Sequence, residues 1–178
     1  FYKGGGSGKI MALNEATGSI AWTFDTVDSP DIWGNKDVNS GGGAWYSPAV
    51  DTTNGTTYWS VANPAPWPGT PDFPNGSSRP GDNLYTCSVL AMDPKTGKIK
   101  WHYQFSPNNP FDYDSVAEMV LADLNVEGKP TKVLMDANRN GFFYVLDRES
   151  GKMLLGKPFT GTNWAREIGA DGRPVVLD

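Results

Sequence analysis

The chain has 178 residues, 38% of them hydrophobic, with a net charge of −5 and one cysteine, Cys87. That length supports one sizeable core, while the acidic balance argues against nucleic acid as a partner, because phosphate binding needs a basic face. A single cysteine excludes an internal disulfide without fixing the redox compartment. No apolar run approaches the roughly 20 residues that a membrane span requires.

Aromatic residues make up 12% of the chain, alongside 21 Gly and 14 Pro. Much aromatic surface divided by many turn residues predicts short strands with little helix. The first predicted element is a strand–turn–strand unit, Ala12-Leu-Asn-Glu-Ala-Thr-Gly-Ser-Ile-Ala-Trp22. It recurs as Ala91-Met-Asp-Pro-Lys-Thr-Gly-Lys-Ile-Lys-Trp101 and, with Leu155 in place of the Trp, as Val145-Leu-Asp-Arg-Glu-Ser-Gly-Lys-Met-Leu-Leu155. Ala49-Val-Asp-Thr-Thr-Asn-Gly-Thr-Thr-Tyr-Trp59 follows the same spacing more loosely.

In these units an apolar strand enters, an Asp (Asn14 in the first) accepts turn amides, and a Gly takes the position that needs positive φ. The departing strand then carries a large aromatic that can cover a neighbouring sheet. Such a hairpin cannot bury both of its faces alone, so copies must stack. Copies starting at 12, 49, 91 and 145 predict an all-β fold of radial four-stranded blades, a partial β-propeller of three to four blades; a flat solenoid or a sandwich of hairpins is the alternative.

Two segments are too long to be simple connectors and are candidates for function. Residues 28–43 are polar and end in Ser40-Gly-Gly-Gly43; residues 63–83 are dense in Pro and Gly. The hairpin pattern continues on both sides of each, so residues 1–178 read as a single incomplete domain. The chain opens at Phe1 within what reads as strand and turn, and stops just after Pro174-Val-Val-Leu177, so both ends are expected to be cuts through a longer protein.

Trp45 follows three glycines, where backbone lets a flat ligand approach and an indole offers a stacking face. Asn63 precedes the rigid Pro64-Ala-Pro66, and a fixed amide oxygen suits a hard cation. Asp112 and Asp114, two apart in a segment read as extended, would present both carboxylates to one side. Asp114 or Ser115, with Glu118 at capping-box spacing from Ser115, could instead start a helix at Val116. Arg139 sits in Asp136-Ala-Asn-Arg-Asn-Gly141, ahead of the strand Phe142-Phe-Tyr-Val-Leu146. His102 has no neighbouring Cys or His and reads as structural. Gly4-Gly-Gly-Ser-Gly8 lacks the Lys-Ser/Thr ending of a phosphate loop.

Five segments in order, Gly41-Gly-Gly-Ala-Trp45, Asn63-Pro-Ala-Pro-Trp67, Arg79-Pro-Gly-Asp-Asn-Leu-Tyr-Thr86, Phe111-Asp-Tyr-Asp114 and Asn138-Arg-Asn-Gly141, resemble the pyrroloquinoline quinone (PQQ) dependent alcohol dehydrogenases of the methanol and ethanol dehydrogenase type. The resemblance runs from about Trp33 to Arg148. It implies an eight-bladed propeller that oxidises a primary alcohol to the aldehyde, with PQQ and Ca2+ or a lanthanide ion as cofactors. Trp45 would lie under the quinone, and Arg139 would hold its oxygens. Asn63, Asp112 and Asp114 would hold the metal, with Asp114 matching the lanthanide-using branch. Asp112 would be the general base while hydride passes to the quinone.

The same resemblance implies a cytochrome electron acceptor, a periplasmic or extracellular location and a possible homodimer of the parent. Phe111 stands where the family usually has Trp, Asn108-Asn-Pro110 replaces a His-Asp stretch, and Ala44 replaces a Thr. The family's remaining metal ligand, a Glu, would lie before residue 1. The fragment alone is expected to be inactive. The rival reading is a non-catalytic, protein-binding propeller, which would scatter these residues over different surfaces. A propeller sugar dehydrogenase is a third reading.

Overall fold

The computed structural model describes residues 6–29, 32 and 34–177, so Trp33 and the first two glycines of the 4–8 run lie outside the described residues. Strands β1 (Lys9–Leu13) and β2 (Ile20–Asp25) form an antiparallel hairpin. Next comes a four-stranded sheet, ordered β4 (Ala49–Val50), β5 (Thr57–Ser60), β7 (Ser88–Met92) and β8 (Ile99–Gln104). A second sheet of four is ordered β12 (Met153–Pro158), β11 (Phe142–Asp147), β10 (Lys129–Ala137) and β9 (Val120–Val126). The hairpin of β13 (Ala165–Ile168) and β14 (Pro174–Val176) follows, and a two-residue ladder joins β3 (Ser40–Gly41) to β6 (Pro64–Ala65).

Every repeat unit falls on a hairpin, but not on the same hairpin of each sheet. The units at 12, 91 and 145 are β1–β2, β7–β8 and β11–β12, whereas the unit at 49 is β4–β5, in the same sheet as β7–β8. The described residues therefore hold two complete four-stranded blades flanked by two hairpins. The irregular spacing of the copies arises from this double use and from the two insertions.

The turns work as their residue types require. Asp93 Oδ1 accepts the Lys95 N–H at 2.8 Å, and Asp147 Oδ1 accepts those of Glu149 and Ser150 at 3.1 and 2.8 Å. Gly97 and Gly151 close these turns at φ of 70° and 74°. Each also receives a Trp from the preceding blade. Trp22 lies against Gly97 and donates its Nε1–H to Pro94 O at 2.9 Å; Trp101 lies against Gly151 and donates to Arg148 O at 3.2 Å. A Cβ at Gly151 would stand 2.5 Å from the Trp101 ring, so only glycine admits the indole.

This latch leaves the sheets face to face. All five residues of β7 are buried. Val89 and Ala91 join Leu134, Phe142, Tyr144 and Leu146 of the following blade, while Leu90 and Met92 join Ile10 of the preceding hairpin. A strand with a core on each side belongs to radial stacking and not to a two-layer sandwich. Burying a side chain such as Leu90 or Met92 contributes about 1.5–3 kcal/mol.

Candidate functional site

Three loops at one end of the blades meet because their backbones touch. Gly41 has φ of 113°, and a Cβ there would stand 2.6 Å from Asn63 O. Gly8 N donates to Gly41 O at 2.9 Å, and Gly42 N donates to Asn63 O at 3.1 Å. The glycines thus let segments 6–8, 41–43 and 63–65 pack with no side chain between them. The 4–8 run that resembled a poor phosphate loop is, in its described part, a wall of this site.

Asn63 follows β5 and is 7% exposed. Its Nδ2 donates to Pro64 O at 2.9 Å, but among the described residues its buried Oδ1 has no hydrogen-bond partner. A buried acceptor without a donor costs about 1–3 kcal/mol, so this oxygen is open to a cation or a water. The Asn63 backbone N–H donates to Asp114 Oδ1 at 3.2 Å, and Arg139 Nη1 donates to Asp114 Oδ2 at 3.3 Å. Burial raises the Asp114 carboxyl above the ordinary value; the Asn63 amide opposes this, the neighbouring Asp112 adds to it, and Arg139 opposes it.

Asp112 is half-buried and, among the described residues, its carboxylate has no hydrogen-bond or ion-pair partner. Its backbone is not extended as the sequence suggested. It sits at φ of 60°, in a turn built by Asn109, whose Oδ1 accepts the N–H groups of Phe111 at 2.7 Å and Tyr113 at 3.5 Å. The two acids share a side through this turn and not through strand alternation. Residues 116–119 have no helical structure, so the capping alternative is not formed.

A cavity of about 410 Å³ is lined by Trp45, Asn63, Asp112 and Asp114, together with Trp67 and the glycines of the two Gly-rich segments. Arg139 is not in its lining, but its ion pair with Asp114 places it at the rim, with its side chain 60% exposed. One side of the Trp45 indole lies on Gly43, where a Cβ would stand 2.9 Å from the ring, and the residue is 60% exposed. A larger hollow of about 510 Å³ shares Trp45, but its lining holds a single carboxylate, Glu118. The smaller cavity has the chemistry.

These residues suit a hard cation beside a flat ligand. Two carboxylates and a donor-free amide oxygen are oxygen ligands of the kind such a cation takes, and the open indole face can stack. Among the described residues no three His, Cys, Asp or Glu side chains form a cluster, so the protein donors gathered here are two acids and an amide. The scatter expected of a scaffold is not observed. Trp67, quoted in the sequence only as part of a motif, is a further lining residue, signalled by its place directly after Asn63-Pro-Ala-Pro. His102 is solvent-exposed on β8, with its ring edge-on to Tyr85 at 4.9 Å, and has no place in the site.

Blades latched by Trp, with loops converging on one glycine-walled cavity, define a partial β-propeller with a candidate ligand site. Residues 2–157 match the family described as glucose/ethanol/alcohol dehydrogenase, β-propeller domain (PQQ), and the chain belongs to that family. It is 39% identical over 186 residues to quinohemoprotein alcohol dehydrogenase ADH IIB of Pseudomonas putida, covering 94% of this chain and 26% of that protein. Against the lanthanide-dependent methanol dehydrogenase of Methylacidiphilum fumariolicum (strain SolV), identity is 41% over 157 residues, covering 84% and 24%. The crystal structure of quinohemoprotein alcohol dehydrogenase from Comamonas testosteroni superposes with a TM-score of 0.85 at 35% identity, covering 96% of this chain and 28% of that one. The chain thus spans about a quarter of the length of these relatives.

Proposed function

We propose that the protein to which this chain belongs is a PQQ- and metal-dependent dehydrogenase that oxidises a primary alcohol to the aldehyde, with an eight-bladed propeller of which residues 1–178 are one part. The observation that carries this is the convergence of Asn63, Asp112 and Asp114 on one cavity beside an open indole, with the Asn63 amide oxygen buried and unpartnered. When bound, PQQ supplies a two-electron acceptor, and a Ca2+ or lanthanide ion supplies Lewis acidity beside it.

The residues of this chain then have separate tasks. Asn63 Oδ1 and the two carboxylates hold the cation, and the extra charge of Asp114 favours a trivalent ion. The carboxylate of Asp112, which makes no hydrogen bond or ion pair among the described residues, also receives the hydroxyl proton of the alcohol. Trp45 covers one face of the quinone, and Arg139 sits at the rim to offset negative charge. Further metal ligands come from outside the described residues. The electron acceptor is a cytochrome and the compartment periplasmic or extracellular; the parent is a candidate homodimer.

The test is reconstitution of the full-length protein with PQQ and either Ca2+ or a lanthanide, followed by dye-linked oxidation of primary alcohols and of sugars. Activity with alcohols, lost in Asp112→Ala and shifted away from lanthanides in Asp114→Ala, is the expected result. A full-length protein that takes up no PQQ with any of these metals would overturn the proposal.

A further inference from the structure

We infer that Arg79 is a positioning residue for the cation site, a buried guanidinium that ties the loop carrying Asn63 to the loop carrying Asp112 and Asp114. The inference rests on the functional reading above and concerns a residue that heads the Arg79-Pro-Gly-Asp-Asn-Leu-Tyr-Thr86 segment but has so far been given no task.

Arg79 has 0% exposure, and its five N–H donors meet five oxygens. Nε donates to Pro66 O at 3.2 Å and Nη2 to Trp67 O at 3.1 Å, both within four residues of Asn63. Nη2 also donates to Asn109 O at 2.9 Å, and Nη1 to Asn83 Oδ1 at 2.6 Å and Asn108 Oδ1 at 3.2 Å. On the first side the rigid Pro64–Pro66 segment carries the constraint back to Asn63. On the other side Asn109, itself 1% exposed, builds the turn that presents Asp112. The two loops already touch once, at Asn63 N–H and Asp114 Oδ1. One tie leaves a hinge, whereas a second, planar tie sets the separation of the donors.

None of the five acceptors is a carboxylate. Burial lowers the guanidinium to about 10, so it remains charged at neutral pH. A desolvated cation without a counter-charge is an inefficient way to gain stability, because apolar packing would serve better. Its geometry is what no other side chain supplies: five donors in one plane meet five oxygens from both loops at once, whereas an ammonium has only three donors and no fixed plane.

The experiment compares full-length wild type, Arg79→Lys and a control, Asp82→Asn. Asp82 lies in the same loop but pairs outward with Arg173 at 2.8 and 3.0 Å, so the control loosens the loop without touching the tie. Each protein is titrated with Tb3+ by Trp-sensitised luminescence, lifetimes in H2O and D2O give the inner-sphere water count, and thermal melts report stability. Arg79→Lys is expected to weaken Tb3+ binding by about tenfold to a hundredfold and to admit additional inner-sphere water, as lost outer support of metal ligands does. Asp82→Asn should bind Tb3+ like wild type.

Unchanged affinity and lifetime in Arg79→Lys would overturn the inference, as would losses that track melting temperature equally in both variants. Should Arg79→Lys not fold, Asn109→Ala carries the test, since it leaves the guanidinium and cuts the next tie; a wild-type lifetime there overturns the inference. A wild-type protein that takes up no Tb3+ overturns the functional reading itself, and this inference with it.

Discussion

Asn63 and Asp114, 51 residues apart in sequence, are joined by a hydrogen bond of 3.2 Å from the backbone N–H of the first to Oδ1 of the second. The bond brings the first residue of one blade's insertion against the loop that leads into the next blade. It orients one carboxylate oxygen while leaving the Asn63 Oδ1 free. The site is therefore assembled between blades and not within one.

Asn63→Ala should separate metal binding from folding. The variant loses the bond from Nδ2 to Pro64 O but also removes a buried acceptor that lacks a donor, and these two effects of about 1 kcal/mol each oppose one another. Calorimetric melting of the metal-free protein is expected to be close to wild type, while affinity for Ca2+ or Tb3+ by titration falls at least about tenfold.

Asp112→Asn should lose activity without losing structure. Asparagine is one of the few side chains that tolerates positive φ, so the 60° backbone is retained. Removing the base is expected to lower the reconstituted rate by about 10²–10⁴-fold. Circular dichroism and PQQ uptake should match wild type; a variant that keeps its rate would remove Asp112 from the chemistry.

Two glycine substitutions isolate the Trp latch. Gly55 and Gly151 have nearly the same φ, 75° and 74°, but a Cβ at Gly55 meets nothing within 4 Å. Gly55→Ala should cost the left-handed backbone penalty alone, roughly 1–2 kcal/mol. Gly151→Ala adds displacement of the Trp101 ring and should cost clearly more in urea denaturation, with a change in Trp fluorescence that Gly55→Ala lacks.

Asp136 makes stability pH-dependent. It is 1% exposed, accepts from Asn138 Nδ2 at 2.8 Å and, among the described residues, has no partner for its second oxygen. Burial raises its carboxyl from 3.8 to about 6, partly opposed by Asn138. Because the folded value lies above the unfolded one, its favourable contribution is present below about pH 4 and is lost as pH rises through 6. A rise of this size corresponds to roughly 3 kcal/mol. Asp136→Asn should therefore flatten the fall in unfolding free energy between pH 4 and 7 and be the more stable protein at pH 7.

The hairpins were legible because their chemistry is local. Asp93 and Gly97, or Asp147 and Gly151, lie within one turn, so residue type and spacing alone specify the bonds they make. The copy at 49 misled as a blade marker because the same turn serves β4–β5 within the sheet that β7–β8 also occupies; a turn motif states how two strands connect and not where they stand in a sheet. Asp112 was read as extended because nothing in Phe-Asp-Tyr-Asp announces a left-handed residue; the turn depends on Asn109, three residues earlier. Arg79 heads one of the five segments that carry the resemblance, but its burial among carbonyls from residues 66, 67 and 109 has no local signature.

The sequence by itself determined the strand-and-turn vocabulary, the Trp-bearing repeat and, through family resemblance, which five residues to watch. Tertiary structure alone decided that an indole, an amide and two acids face one cavity with a guanidinium at its rim. Periodicity encodes contacts a few residues apart, whereas this site depends on which blade covers which, and that is settled only when each Trp finds the glycine of the next turn.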